Sequence, residues 1–412
     1  MATGVTSKNG KKQRKIPISI TYEGKVDENI ILNKEFCMYY PKMEINGKGK
    51  NQFYFGDNLD VLLYFRNRED IAGKIKLVYI DPPFATKSNF VNRNQKHAYS
   101  DIISGGAFVE FLRERLILIR ELLADDGSIY LHLDEKMAFA MKIIMDEVFG
   151  EKNFRSFITR KKCSTKNYTK NTYGNVSDYI MFYSKSDSYI WNRPYEEWVD
   201  EKILEQYPCI DESTGRRYKK VPIHAPGIRN GETGKKWRGM MPPKGKHWQY
   251  TPEKLDELDA AGEIYWSPSG NPRRKVFFDP SKGIPVQDIW LSYRDSINQA
   301  QKTTGYPTEK NVEMLKMIIE ASSNEGDLVM DCFAGSGTTL AAAFELNRKW
   351  IGVDNSVESY KAVTKRFTEG LETYGDYVQR EYEQLSLMDT LVQKCPYTLY
   401  LPEGVDTIKE DV

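Results

Sequence analysis

The sequence predicts an α/β protein built on a doubly wound, mostly parallel sheet, interrupted by a region of different character. Three observations carry that expectation. Short apolar runs alternate with amphipathic helical stretches from Phe53 to about Ser184. The alternation returns at Thr308 and continues to about residue 370. Between the two, from about 190 to 300, Gly, Pro and aromatic residues rise and the alternation stops. The chain of 412 residues therefore divides into a lead-in (1–50), a first half of the sheet domain (51–189), an inserted region (190–300), a second half (301–370) and a tail (371–412).

Residues 1 to about 20 hold Lys8, Lys11, Lys12, Arg14 and Lys15 with no acid, the composition of a flexible basic arm. Residues 21–50 have no clear pattern. Phe53-Tyr-Phe-Gly56-Asp57-Asn58 reads as a strand closing in a turn, and Leu59–Phe65 as the helix after it. Leu77–Ile80 is a short β-branched and aromatic run, hence a buried strand. Phe108–Leu123 has a helical apolar face. Ser128–Leu133 reads as a strand, and Asp134 as the N-cap of a helix Glu135–Phe149 closed by Gly150. Phe154–Arg160 and Tyr179–Ser184 read as strands around a polar loop with Lys161, Lys162, Lys166 and Lys170. Downstream, Val312–Ile319 reads as a helix, Asp327–Met330 as a strand, Gly335–Leu346 as a helix, Trp350–Asp354 as a strand and Val357–Phe367 as a helix. The tail gives no clear pattern.

Net charge is +1, but it is unevenly spread. Arg155 to Ala300 holds 25 Lys+Arg against 18 Asp+Glu, and the remainder 34 against 40. A basic middle is what a phosphate-binding face needs, although an unevenly charged solvated surface reads the same way. No apolar run is long enough to span a bilayer. Five scattered cysteines and four scattered histidines form no disulfide framework and no metal-ligand set. The expected setting is the reducing cytoplasm, with no metal and no membrane.

Two stretches carry chemistry. The Leu77–Ile80 strand stops at Asp81-Pro82-Pro83-Phe84. The prolines have no N–H, so this strand end offers a carboxylate and carbonyls but no amide donors at 82 and 83. An acceptor-only corner beside an aromatic ring suits a flat substrate that donates hydrogen bonds, such as a nucleobase amino group. Alone, Asp-Pro-Pro is more often an ordinary turn; its place at a strand's carboxyl end raises the functional reading. The second stretch is Asp331-Cys-Phe333-Ala-Gly335-Ser336-Gly337-Thr338-Thr339, a strand, glycine turn and helix start. Asp354, 23 residues after Asp331, ends the next strand and is placed for ribose hydroxyls. The dinucleotide fingerprint wants a small residue where Leu340 stands, and Asp331 would repel a pyrophosphate. A cofactor with a positive amino-acid end, S-adenosylmethionine, fits better. Cys332 reads as a small buried residue.

In the inserted region basic and aromatic residues interleave. Lys235-Lys236-Trp237-Arg238, Lys244-Gly-Lys246-His247-Trp248 and Arg273-Arg274-Lys275 are candidate DNA contacts as a group, together with Lys161 and Lys162. The tryptophans are more often core anchors.

Asp81-Pro82-Pro83-Phe84 followed much later by Asp331-x-Phe-x-Gly-Ser-Gly-Thr338 resembles the amino-group DNA methyltransferases, in the motif order of their β class and over about residues 50–370. The resemblance implies a Rossmann-like methyltransferase fold with circularly ordered motifs. It also implies methyl transfer from S-adenosylmethionine to the N6 amine of a flipped adenine in duplex DNA. Asp81 and the Pro82 carbonyl would accept the amine hydrogens, and Phe84 would stack on the base. Thr304–Lys310, with Thr308, resembles a further cofactor element, and Gly56-Asp57 an acidic one. Trp237 to Trp290 resembles the target-recognition region of relatives of Type III modification subunits. That kinship implies a restriction–modification setting, with a cognate endonuclease and a second copy of the chain as candidate partners. Phe84 stands where Tyr is usual, and Asn311 follows Lys310 where proline is common. Cytosine-N4 methylation is the nearest alternative. A nicotinamide oxidoreductase, a non-catalytic DNA-binding module and methylation of a protein or RNA amide are more distant ones.

Overall fold

The computed structural model describes residues 18–83, 105–164, 171–295, 302–304, 306, 309–373 and 394–408. It divides into two compact units, Tyr195–Val286 and the remainder on either side of it in sequence.

The larger unit holds a ten-stranded sheet. In spatial order its strands are Tyr39–Ile45, Tyr397–Pro402, Asn51–Phe55, Lys349–Asp354, Leu328–Asp331, Ile75–Ile80, Leu123–Leu133, Ser177–Ser184, Phe154–Lys161 and Ile289–Trp290. The six from Tyr397–Pro402 to Leu123–Leu133 run parallel. Both faces of such strands are covered, which is why Ile75, Leu77, Val78, Tyr79 and Ile80 are all buried.

The connectivity reverses between two adjacent strands. From Leu328–Asp331 the chain passes through the helix Thr338–Glu345 to Lys349–Asp354 on one side. From Ile75–Ile80 it passes through Gly106–Leu122 to Leu123–Leu133 on the other. Open α/β sheets bind ligands beyond the carboxyl ends of strands at such a switch point. Asp331 and Asp81 end the two strands that flank it.

Helix starts follow from their caps. Asp57 accepts from Leu59 N at the start of Asn58–Arg66, and Asn311 from Met314 N at the start of Val312–Ser322. Asp134 behaves differently from the expectation. Its carboxylate accepts from Lys136 N within a turn, and the helix begins only at Ala138. The helix expected from Gly335 begins at Thr338, because Gly335 and Gly337 take left-handed φ of 49° and 71° in the turn before it. Two strands lie in stretches where the sequence shows no pattern. Tyr397–Pro402 pairs with both Asn51–Phe55 and Tyr39–Ile45.

The unit Tyr195–Val286 carries a four-stranded antiparallel sheet, Ile264–Trp266, Pro272–Phe277, Arg217–Pro222 and Cys209–Ile210 in order. Its core is Ile223, Trp237, Trp248, Leu255, Leu258 and Ile264. Trp237 and Trp248 are therefore anchors of a small domain, with indole N–H groups bonded to Asp256 and to the Lys235 carbonyl. No helix of the described residues is long and apolar enough to cross a membrane.

Candidate active site

Four neighbouring parallel strands bring their carboxyl ends to one edge. They deliver Asp57, Asp354, Asp331 and Asp81 side by side along the sheet. Asp331 is the most deeply enclosed, at 3% exposure. Burial pushes its carboxyl up to about 7; the Thr339 hydroxyl and Phe333 N–H pull it down, and the charges of Asp81 and Asp354 push it up again. Asp354 is also held above the usual carboxylate range by burial, although Gly335 N and Ser356 N each donate to it at 2.9 Å.

The glycine turn is built for close packing. A Cβ on Gly337 would stand 2.8 Å from Val363 Cγ2, and one on Gly352 in the next strand 2.6 Å from Leu340 Cδ1. Leu340 thus has a packing role against that glycine. The Ser336 and Thr338 hydroxyls bond one another at 2.8 Å and are buried. Arg366 donates to the Ser336 carbonyl and to Thr338 Oγ1. These two side chains hold the turn's shape. Phe333 is half-buried against Phe111.

Asp81 sits across the switch. Its Oδ2 is 2.7 Å from Lys310 Nζ. Its Oδ1 is sealed from solvent, has no hydrogen-bond partner, and lies 3.9 Å from His132 Nδ1. His132 is fully buried, with Nδ1 2.7 Å from the Tyr79 hydroxyl and Nε2 2.9 Å from Asp178 Oδ2. Asp178 also takes Arg160, which reaches on to Asp295 and the Tyr293 carbonyl. Burial pushes Asp178 up, yet His132, Arg160 and Lys310 outweigh it and hold the carboxyl well below the usual range. Pro82 is buried and Pro83 exposed. Phe84 and Thr308 lie outside the described residues, as do Lys166 and Lys170.

Asp57 is at this edge but committed locally. It caps its helix and faces Arg115 at 3.3 Å, with its side chain more than half exposed. Its neighbour Asn58 donates to the Cys332 carbonyl and fastens the helix to the strand of Asp331. Nothing in the sequence pointed to Asn58, His132, Asp178 or Arg366. A single His within an apolar strand is most often a satisfied core residue, and pairing across strands Leu123–Leu133 and Ser177–Ser184 is what unites His132 with Asp178.

The basic candidates divide. Lys161 and Lys162 lie at and just past the end of the strand Phe154–Lys161. Lys235 pairs with Glu232, Arg238 with Asp256 and Asp259, and Arg274 with Tyr250 and Glu263. Lys236, Lys244, Lys246 and Arg273 are exposed and make no ion pair among the described residues. Lys246 and Arg273 act on one imidazole. His224 is held below its ordinary value by burial and then by these two cations. They form a local positive cluster.

The edge suits a cation that also carries hydroxyls. Asp331 is a buried carboxylate facing the Asp81 and Asp354 charges, and a positive ligand end would relieve all three. A pyrophosphate would be set against the Asp331 and Asp354 carboxyls. These acceptors therefore fit S-adenosylmethionine better than a dinucleotide.

The chain belongs to the DNA methylase family, whose model matches residues 75–365, and that family draws its methyl group from S-adenosylmethionine. It is 50% identical over 367 residues to the type II methyltransferase M.EcaI of Enterobacter cloacae, across 88% of this chain and 80% of that protein. It is 29% identical over 343 residues to the Type III restriction-modification enzyme StyLTI Mod subunit of Salmonella typhimurium. That match covers 74% of this chain and 51% of the subunit, so the chain spans about half its length. Among solved structures, the M1.HpyAVI–SAM complex aligns at a TM-score of 0.42 and 16% identity, over 77% of this chain and 98% of that one.

Proposed function

We propose that the protein is a site-specific DNA methyltransferase acting on the N6 amine of a flipped adenine in duplex DNA. The observation that carries this reading is the strand end at Asp81, an acceptor corner across the switch point from the cation-seeking Asp331.

The exocyclic amine is a poor nucleophile because its lone pair is delocalised into the ring. Asp81 and the Pro82 carbonyl accept its two hydrogens, which favours a pyramidal nitrogen with the lone pair free. S-adenosylmethionine, when bound, supplies a methyl group on a sulfonium, whose C–S electron pair stays with sulfur. Asp331 holds the positive end of that cofactor, and Asp354 its ribose hydroxyls. The nitrogen lone pair makes the N–C bond, and one N–H proton leaves to Asp81. No covalent intermediate with the protein is needed. Phe84 stacks on the flipped base, worth ~1–3 kcal/mol, against a flipping cost of a few kcal/mol.

The exposed Lys236, Lys244, Lys246 and Arg273 contact DNA from the target-recognition unit, and Lys161 and Lys162 from the catalytic one. Similarity to the StyLTI Mod subunit, part of a restriction-modification enzyme, supports a restriction–modification setting with a cognate endonuclease as partner.

Asp81→Ala is expected to abolish methyl transfer to DNA while leaving cofactor binding by calorimetry intact. Unchanged turnover in that variant would refute the assignment. Methylated cytosine as the product would move the reading to N4.

A further inference from the structure

We propose that Lys310 is a positioning residue for the amine acceptor, and that it ties Asp81 to the glycine turn of the cofactor site. The inference rests on the reading of Asp81 given above.

The Asp81 carboxylate is asymmetric. Oδ1 is closed off from solvent without a hydrogen-bond partner, while the side chain as a whole remains 19% exposed. At Oδ2, Lys310 Nζ stands at 2.7 Å with its own side chain 11% exposed. A carboxylate oxygen has two acceptor lone pairs. Lys310 takes one and leaves the second for an N–H of the target amine. By occupying Oδ2 it also fixes the rotation of the carboxylate about its Cβ–Cγ bond, so the free lone pair has one direction.

Lys310 is itself held on both sides. Glu309, 3% exposed, pairs with Arg366 and accepts from Thr304 N and Oγ1 at 3.0 and 2.8 Å. Arg366 grips the Ser336 carbonyl at 2.9 Å inside the glycine turn. On the other side, Asn311 caps the helix Val312–Ser322 and donates to the Arg294 carbonyl at 3.0 Å. Asn311 thus does here by capping what a proline would do by fixing φ. The path Gly335–Ser336–Arg366–Glu309–Lys310–Asp81 joins the cofactor turn to the amine acceptor through buried polar contacts. The two reacting partners are registered by one element.

The test compares wild type, Lys310→Ala and Lys310→Arg in single-turnover methyl transfer at saturating DNA and cofactor. It is run beside calorimetry with S-adenosylmethionine and fluorescence of 2-aminopurine at the target position. Lys310→Ala should lose roughly 100-fold in rate, the scale set by ~1 Å misplacement of a reacting group. Cofactor affinity and the flipping signal should stay at wild-type values. Ethylammonium in the buffer should restore part of the lost rate saturably, and Lys310→Arg should retain more activity than Lys310→Ala. A Lys310→Ala protein at the wild-type rate overturns the proposal. So does a variant with wild-type circular dichroism and melting temperature that loses cofactor binding and flipping together with its rate and gains nothing from the amine, since Lys310 would then shape the cofactor site and not aim Asp81. Wild-type protein that transfers no methyl group overturns the functional reading and this inference with it; wild-type turnover beside an unimpaired variant overturns this inference alone.

Discussion

Asp331 shows how one carboxyl can set the response of the whole site to pH. Burial places its titration at about 7. Below that pH a proton occupies the group and a cationic ligand must displace it. Cofactor affinity should therefore rise as pH increases through about 7, with proton release on binding measurable by calorimetry in buffers of different ionisation enthalpy. Asp331→Asn should bind weakly at every pH in that interval. The same shift has an opposite consequence for the free protein. A carboxyl raised above its unfolded value favours the folded state at low pH, and that contribution is lost as pH rises through 7. Cofactor should restore more thermal stability at pH 8 than at pH 6. Flat affinity across the interval would show that Asp331 does not face the positive charge.

At the scale of elements, the strand–turn–helix around Gly337 joins conformation to packing. Its φ of 71° and the 2.8 Å approach a Cβ would make to Val363 both exclude a side chain. Gly337→Ala should destabilise the protein by about 1–3 kcal/mol in denaturant unfolding, and weaken cofactor binding through the displaced turn. An unaltered midpoint would refute this account of the turn. This element was legible in the sequence because its chemistry is local: acid, glycines and helix start lie within nine consecutive positions. So were Asp81 and the two prolines. The helix boundary was not, because Asp134 satisfies a turn as readily as a helix start. The strand Tyr397–Pro402 was missed for another reason. Its alternating burial depends on neighbours more than 300 positions earlier in the chain, Tyr39–Ile45 and Asn51–Phe55. His132, Asp178 and Arg160 were invisible for the same cause, since each becomes part of the site only through pairing across the sheet.

At the scale of the molecule, a net charge of +1 hides a division of labour. Acids gather at the carboxyl ends of the central strands, where Asp57, Asp354, Asp331 and Asp81 stand side by side. Lys236, Lys244, Lys246 and Arg273 supply exposed positive charge that no acid among the described residues neutralises. Replacing Lys244, Lys246 and Arg273 together by Ala should weaken DNA binding across sequences. The slope of log affinity against log salt should fall by ~0.9 for each phosphate that is no longer neutralised. Arg238→Ala should act differently, lowering stability of the unit Tyr195–Val286, because its guanidinium is already engaged by Asp256 and Asp259. The central claim, that Asp81 accepts an adenine amine for methylation, has one direct test. DNA from a methylation-deficient host expressing the protein, or its Asp81→Ala variant, is read by single-molecule sequencing. The account predicts N6-methyladenine at one short motif in the wild-type sample and none in the variant. N6-methyladenine in both samples, or no modified base in either, would contradict it.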